Sequence, residues 1–321
     1  MIRTFVLSAI LGAALPLAAP AAADYPERPL RFVVNFPPGG AADTIARLFG
    51  QEIGAALGQP VVVENKAGAG GAIGMVYAAK QPADGYTFTM GTLGSAIVQP
   101  LIQKTPYDML NDFDPVSLIA TGPAVLVVNG ESPYKSVADI VNTAKTNPDV
   151  LNYGSGGIGT FAHLTGAMLN QAAGIDITHV PYKGGVQALQ DVLANQLEMI
   201  AVDPPSALPH IRSGKLRAVA YTGAQRSPLL PDVPTFAESG YPSLVGANSW
   251  SIWMPAGVPR DIAATFHQAL NKTMENPALR EKFAELGAEA THSTPEELRR
   301  FVLAEKERYA KVVQQQGFRP Q

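Results

Sequence analysis

The sequence contains no cysteine, which excludes disulfide staples, thiolate metal centres and a lipid anchored on cysteine. Its histidines, His163, His179, His210, His267 and His292, follow no metal-ligand spacing, so no metal is expected. Basic runs are missing and the net charge is −3, which excludes the electrostatic footprint of a nucleic-acid partner. Lysines and arginines near the C-terminus alternate with glutamates and read as a solvated helix face. No phosphate loop ending in Gly-Lys-Ser/Thr occurs, and no short-period repeat. What remains is an ordinary globular composition, 46% hydrophobic over 321 residues, with length enough for two domains.

The N-terminus reads differently from the rest. Arg3 precedes an apolar run from Phe5 to Pro20, and Ala21-Ala22-Ala23 follows as a small-residue cleavage signal. That order predicts a secretory signal peptide over residues 1–23, and so a soluble protein in the periplasm. Pro16 and Pro20 break the run, which is too short for a membrane anchor.

The stretch around which the chain is organised is Phe32–Asp43. A buried-type apolar run ends at Pro37 and Pro38, turns at Gly39 and Gly40, and takes up helical spacing from Ala41, with Ile45, Leu48 and Phe49 on one face. Strand, glycine turn and helix leave unpaired N–H groups at the positive end of a helix, a seat for an anion. Strands and helices then alternate to Met90, which predicts βαβ units and a parallel sheet. Two adjacent strand-like runs, 116–120 and 124–129, straddle Thr121-Gly122-Pro123 and read as a crossing between domains. A second alternating block follows, opened by another strand, glycine turn and helix at Leu151–Thr160. The proline-rich segment Ser227–Pro242 then leads back to a helical tail that should pack on the first domain. Two such turns, one per domain, can face each other across a cleft at the carboxyl ends of the strands.

The same residues bear on other chemistries. Gly154–Gly159 matches G-x-G-x-x-G, but Asp176 precedes its strand where a ribose-binding acid would end one, so no dinucleotide or other cofactor is expected. Ser155 lacks the glycine of a nucleophile elbow at position 153, although His163 lies four residues into the next helix, and an exported hydrolase using Ser155 and His163 is the alternative function. Asp203 ends a strand before Pro204 and Pro205, where it would cap the following helix, contact a ligand, or both. Gly68–Gly74 reads as a turn with close helix packing, and Trp250 as core.

The chain resembles the Bug family, the periplasmic solute-binding receptors of tripartite tricarboxylate transporters. The resemblance runs over the whole mature chain. It rests on Tyr25-Pro26, Phe36-Pro-Pro-Gly-Gly, Gln59-Pro-Val-Val-Val-Glu-Asn65, Gly68-Ala-Gly-Gly71 and Asp84-Gly-Tyr-Thr87. It continues through Leu151-Asn-Tyr-Gly-Ser155, His179-Val-Pro-Tyr-Lys-Gly184, Pro205-Ser-Ala-Leu-Pro-His-Ile211, Leu230-Pro-Asp-Val-Pro-Thr235 and Ala256-Gly257.

The resemblance implies a non-enzymatic α/β receptor of the two-lobed, type II-like periplasmic-binding-protein fold, each lobe a mainly parallel sheet flanked by helices. Residues 24–121 with 226–321 would form lobe 1, and residues 122–225 lobe 2. A monomer would capture a small organic carboxylate and hand it to the membrane subunits of the transporter, or to a sensor. Carried over by position, the site is Phe36, Pro38, Gly39, Gly40 and Ala41 with Thr92 and Ser95 from lobe 1. Lobe 2 would add Ser155, Gly157, Ile158, Gly159, Thr160, His163 and Asp203. Where the family commonly has Gly-Asn-Gly-Thr-Ser-Ser-His, this chain has Gly157-Ile-Gly-Thr-Phe-Ala-His163, and Ala201-Val202-Asp203 replaces Phe-Asp-Asn. Ala96 stands where a histidine is frequent. Fewer polar groups in the pocket favour an aromatic or aliphatic carboxylate over an amino acid or citrate.

Overall fold

Residues 25–315 are described by a computed structural model; the expected signal peptide lies outside them. The first half of the chain runs β1 (Leu30–Val34), α1 (Ala41–Leu57), β2 (Val61–Asn65), α2 (Ala72–Ala79), β3 (Thr87–Thr92), α3 (Gln99–Ile102) and the long β4 (Phe113–Gly122). Next come β5 (Val125–Asn129), α4 (Val137–Thr146), β6 (Asn152–Ser155), α5 (Phe161–Ala173), β7 (Thr178–Pro181), α6 (Gly185–Leu193), β8 (Met199–Val202), α7 (Pro204–Arg212) and β9 (Leu216–Tyr221). The chain then returns through β10 (Asn248–Pro255), α8 (Arg260–Met274), α9 (Pro277–Glu285), β11 (Glu289–Ala290) and α10 (Pro295–Gln315).

These strands form two sheets, in the orders β11-β4-β10-β3-β1-β2 and β7-β6-β8-β5-β9. Each sheet is parallel where strand–glycine–helix units build it, at β2-β1-β3 and at β7-β6-β8. Antiparallel strands complete both, because β4 and β10, like β5 and β9, belong to the segments that pass between sheets. The first crossing is the two-residue step from Gly122 to Val125 and the second is the run from Tyr221 to Asn248. Thr222, fully buried, ties them together: its N–H donates to Ala124 O at 2.9 Å, its hydroxyl to Gly246 O at 2.8 Å, and it accepts from Ala124 N–H at 2.8 Å.

Both sheets are covered on both faces, which is why their central strands β3, β10, β5 and β8 are buried along their whole length. Phe32, Phe49, Phe88 and Phe266 meet between the first sheet and helices α1 and α8. On its other face Leu298, Val302 and Tyr309 of α10 join a cluster that includes Phe161 and Leu164 of α5, so the tail packs on the first lobe and reaches the second.

Candidate functional site

Parallel strands deliver their following turns to one edge of each sheet, and those edges face each other. A cavity of about 90 Å³ lies between them, several times the roughly 10–15 Å³ that one water needs. Phe36, Pro37, Gly40, Ala41 and Ala42 line it after β1, and Thr92 and Gly94 after β3. From the second lobe come Gly156, Thr160, Phe161 and Ala162 after β6, Gly185 and Val186 after β7, and Ile200–Asp203 with Ser206 at β8 and α7. Ala124, Asn248 and Trp250 close it at the crossings.

The first residues of three helices therefore line one cavity: Ala41 and Ala42 of α1, Phe161 and Ala162 of α5, Gly185 and Val186 of α6. Their N–H groups have no carbonyl four residues back to donate to, and each sits at the positive end of a helix dipole. Among the described residues, no arginine, lysine or histidine lines the cavity. The donors this cavity offers are neutral ones.

Of the residues picked out from the sequence, Phe36, Gly40, Ala41, Thr92, Thr160 and Asp203 line the cavity. The others do not. Pro38 and Gly39 are exposed on the outer side of the first turn, and Gly39 N–H donates to Asp43 at 3.0 Å. Ser95 is buried beneath Thr92, whose hydroxyl accepts from Ser95 N–H at 3.2 Å. Gly157 and Gly159 lie where the lobes touch, and Ile158 is exposed outside. Thr160 does not offer its hydroxyl hydrogen to a ligand, because it donates to Gly157 O at 2.8 Å.

Ser155 and His163 do not pair. Ser155 Oγ is fully buried and lies 2.6 Å from His179 Nε2, while His163 Nδ1 accepts Gly159 N–H at 3.1 Å. The two imidazoles stack at 4.1 Å under the glycine turn. Burial, aided by the His179 ring, pushes His163 down to about 3, and burial pushes His179 down to about 4, so both are neutral props of the turn. The hydrolase reading thereby loses its nucleophile–base contact.

Asp203 stands at the N-cap position of α7 but makes no side-chain cap. The residues it would cap are Pro204 and Pro205, which have no N–H, and Ser206 N–H is taken by the Asp203 carbonyl at 3.1 Å. Its carboxyl instead lies 3.2 and 3.3 Å from Asn248 Nδ2. Enclosure by protein pushes Asp203 up to about 7, against the opposing pull of Asn248. Trp250 is core and cavity wall at once: it is 1% exposed, and its Nε1–H is buried with no acceptor among the described residues. The α6 start and Asn248 were missed from the sequence, although Lys183-Gly184-Gly185 repeats the strand–glycine–helix pattern in plain view.

This geometry meets a known pattern. A family model described as the tripartite tricarboxylate transporter family receptor matches residues 45–318. The chain belongs to that family. It is 37% identical over 320 residues to Protein BugT of Bordetella pertussis, covering 99% of this chain and 98% of that one. Among solved structures it is similar to R. palustris Rpa4515 with adipate, at 34% identity and TM-score 0.89, covering 93% of this chain and all of the other. MatC from Rhodopseudomonas palustris with bound malate follows at 31% identity and TM-score 0.86, covering 90% and 100%.

Proposed function

We propose that this member of the receptor family captures a small carboxylate between its lobes in the periplasm and delivers it, as a monomer, to the membrane subunits of a tripartite tricarboxylate transporter. The convergence of three helix N-termini on a cavity with no cationic side chain carries the reading. Amides in such a seat satisfy carboxylate oxygens without a counter-ion. Phe161, Ile200, Ala201 and Val202 give the ligand's body an apolar wall, which gains about 25 cal/mol for each Å² of apolar surface buried. The likeness to structures solved with adipate and with malate supports a small organic acid. The lobes assigned to this task are residues 24–121 with 226–321, and residues 122–225.

The test is calorimetry and thermal unfolding of the purified protein with aliphatic monoacids, aliphatic diacids, benzoate-type acids, glutamate and citrate. An aliphatic or aromatic acid should bind and stabilise the protein, by about 2.7 kcal/mol at a hundredfold excess over Kd, and should be recovered chemically unchanged. No stabilisation by any acid, or turnover of an added ester, would overturn the reading.

A further inference from the structure

We infer that Gln99 is a positioning residue of the ligand site: its amide latches the second-lobe turn 157–160 to the first lobe and favours the closed cleft whichever acid fills it. The inference rests on the reading above that the ligand is taken up between the lobes. It names a contact that scales the affinity for every ligand alike.

Gln99 is fully buried. Its Nε2 faces one backbone carbonyl from each lobe, Ala69 O at 2.7 Å and Ile158 O at 3.1 Å. Carbonyls only accept, so the nitrogen with its two hydrogens is the end that belongs at the seam. The chain delivers it through the π-helical turn over Leu93–Val98, in which Gln99 N–H donates to Gly94 O, five residues back. That turn begins at the cavity, because Thr92, its cap, and Gly94 both line the wall. On the first-lobe side the loop 68–71 wraps the amide in left-handed backbone, with φ of 48° at Ala69 and 61° at Gly70. A non-glycine residue is held in that region only where its surroundings over-determine it. A Cβ on Gly70 would overlap Gln99 Nε2 and lie 2.7 Å from Ile158 O, so the glycine leaves room for the latch.

On the second-lobe side, Ile158 precedes Thr160 and the start of α5, which line the cavity. The bond from Gln99 therefore fixes how far the α5 start stands from the first-lobe turns. Gln99 itself is absent from the cavity wall, so it touches no ligand. Opening the cleft breaks the Ile158 bond and keeps the Ala69 bond, which lies within the first lobe. One net hydrogen bond is worth about 3- to 10-fold in the ratio of closed to open molecules. Apparent affinity follows the closed fraction, so losing the bond weakens all acids by one factor and leaves their order unchanged.

The test compares the wild type with Gln99→Met, which keeps the side chain's length without its donors, and Gln99→Glu, which turns an oxygen to both carbonyls. Without added acid at pH 8, small-angle scattering should give both variants a larger radius of gyration than the wild type. Calorimetry with hexanoate, adipate, benzoate, glutamate and citrate should show each acid that binds the wild type weakened about 3- to 10-fold in Gln99→Met, all by one factor. In Gln99→Glu the deficits in affinity and in compaction should shrink from pH 8 to pH 5, as the buried carboxyl takes up a proton and donates to Ile158 O. In Gln99→Met they should stay constant. The Tyr107 hydroxyl, 3.1 Å from Gln99 Oε1 and raised by burial, and His163 behind the turn, pushed down to about 3, keep their charge over that range. Variants that scatter and bind like the wild type would overturn the latch. So would a loss confined to some of the acids, or a Gln99→Glu protein that follows Gln99→Met at every pH. If Gln99→Met does not fold, the pH dependence of Gln99→Glu decides alone. If no acid binds the wild type, the carboxylate reading falls, and scattering without acid still decides the latch.

Discussion

Asp203 and the stacked pair His163–His179 are held by burial on opposite sides of their ordinary ranges, and they act on stability with opposite signs. Asp203, raised to about 7, keeps a proton in the folded state that the unfolded chain gives up above about pH 4. Its contribution is therefore fully present below that pH and is lost as pH rises to 7. His163 and His179, lowered to about 3 and about 4, refuse protons that the unfolded chain takes from about pH 6.5 downward. Their contribution is present above pH 6.5 and is lost on acidification. Between pH 6 and 4.5 each group is worth about 1.4 kcal/mol per pH unit. Two losses against one gain leave these groups a net fall of about 1.4 kcal/mol per unit on acidification. Replacing Asp203 by Asn removes the gain, so the fall should steepen by about 1.4 kcal/mol per unit in urea unfolding. Parallel slopes for the two proteins would show that Asp203 is not enclosed as described.

The start of α1 carries the first turn, and a side chain outside the cavity holds it there. Asp43 accepts from Gly39 N–H at 3.0 Å, from Arg47 Nε at 2.9 Å and from Asn65 Nδ2 at 2.9 Å, and Asn65 also reaches Phe36 O at 3.0 Å. Burial pushes the Asp43 carboxyl up, but these bonds together hold it below its usual range. Asp43→Ala leaves the Gly39 and Asn65 donors without their acceptor, which should cost about 1–3 kcal/mol of stability. It should also weaken ligand binding, since the amides of Ala41 and Ala42 are aimed by this turn. Unaltered affinity in calorimetry would show that the seat does not depend on the turn's rigidity. Such elements were the legible part of the sequence: β1, its Pro-Pro-Gly-Gly turn and α1 are written in local periodicity and turn chemistry. What escaped depended on strand pairing. Ser155 lies beside His179 because β6 and β7 run parallel with Tyr153 opposite His179, a register that no local pattern carries. Reading Asp203 as a cap gave too little weight to Pro204 and Pro205, although both stand in the sequence.

Across the whole molecule, the lobes meet through glycines, and that contact is what opening of the proposed ligand cleft would break. A Cβ on Gly157 would lie 2.9 Å from Gly70 Cα, and one on Gly94 would lie 3.1 Å from Thr160 Cα. Gln99, fully buried where a π-helical turn over Leu93–Val98 passes into α3, spans the same seam. Its Nε2 donates to Ala69 O in the first lobe at 2.7 Å and to Ile158 O in the second at 3.1 Å, while Tyr107 donates to its Oε1 at 3.1 Å. Most of these glycines are poor probes of closure, because Gly70, Gly157 and Gly159 have positive φ and a substitution would strain their own turns. Gly184 is different. Its φ of −175° suits any residue, it is absent from the cavity wall, and a Cβ on it would overlap the Pro37 ring of the opposite lobe. Gly184→Ala should therefore leave each lobe folded and push the lobes apart. If closed molecules fall to about 1–10% of the population, apparent affinity drops about 10- to 100-fold with the intrinsic contacts untouched. Small-angle scattering should give a larger radius of gyration than the wild type without ligand, and the two should converge at saturating ligand. A variant that scatters and binds like the wild type would mean that the Pro37–Gly184 contact does not limit closure.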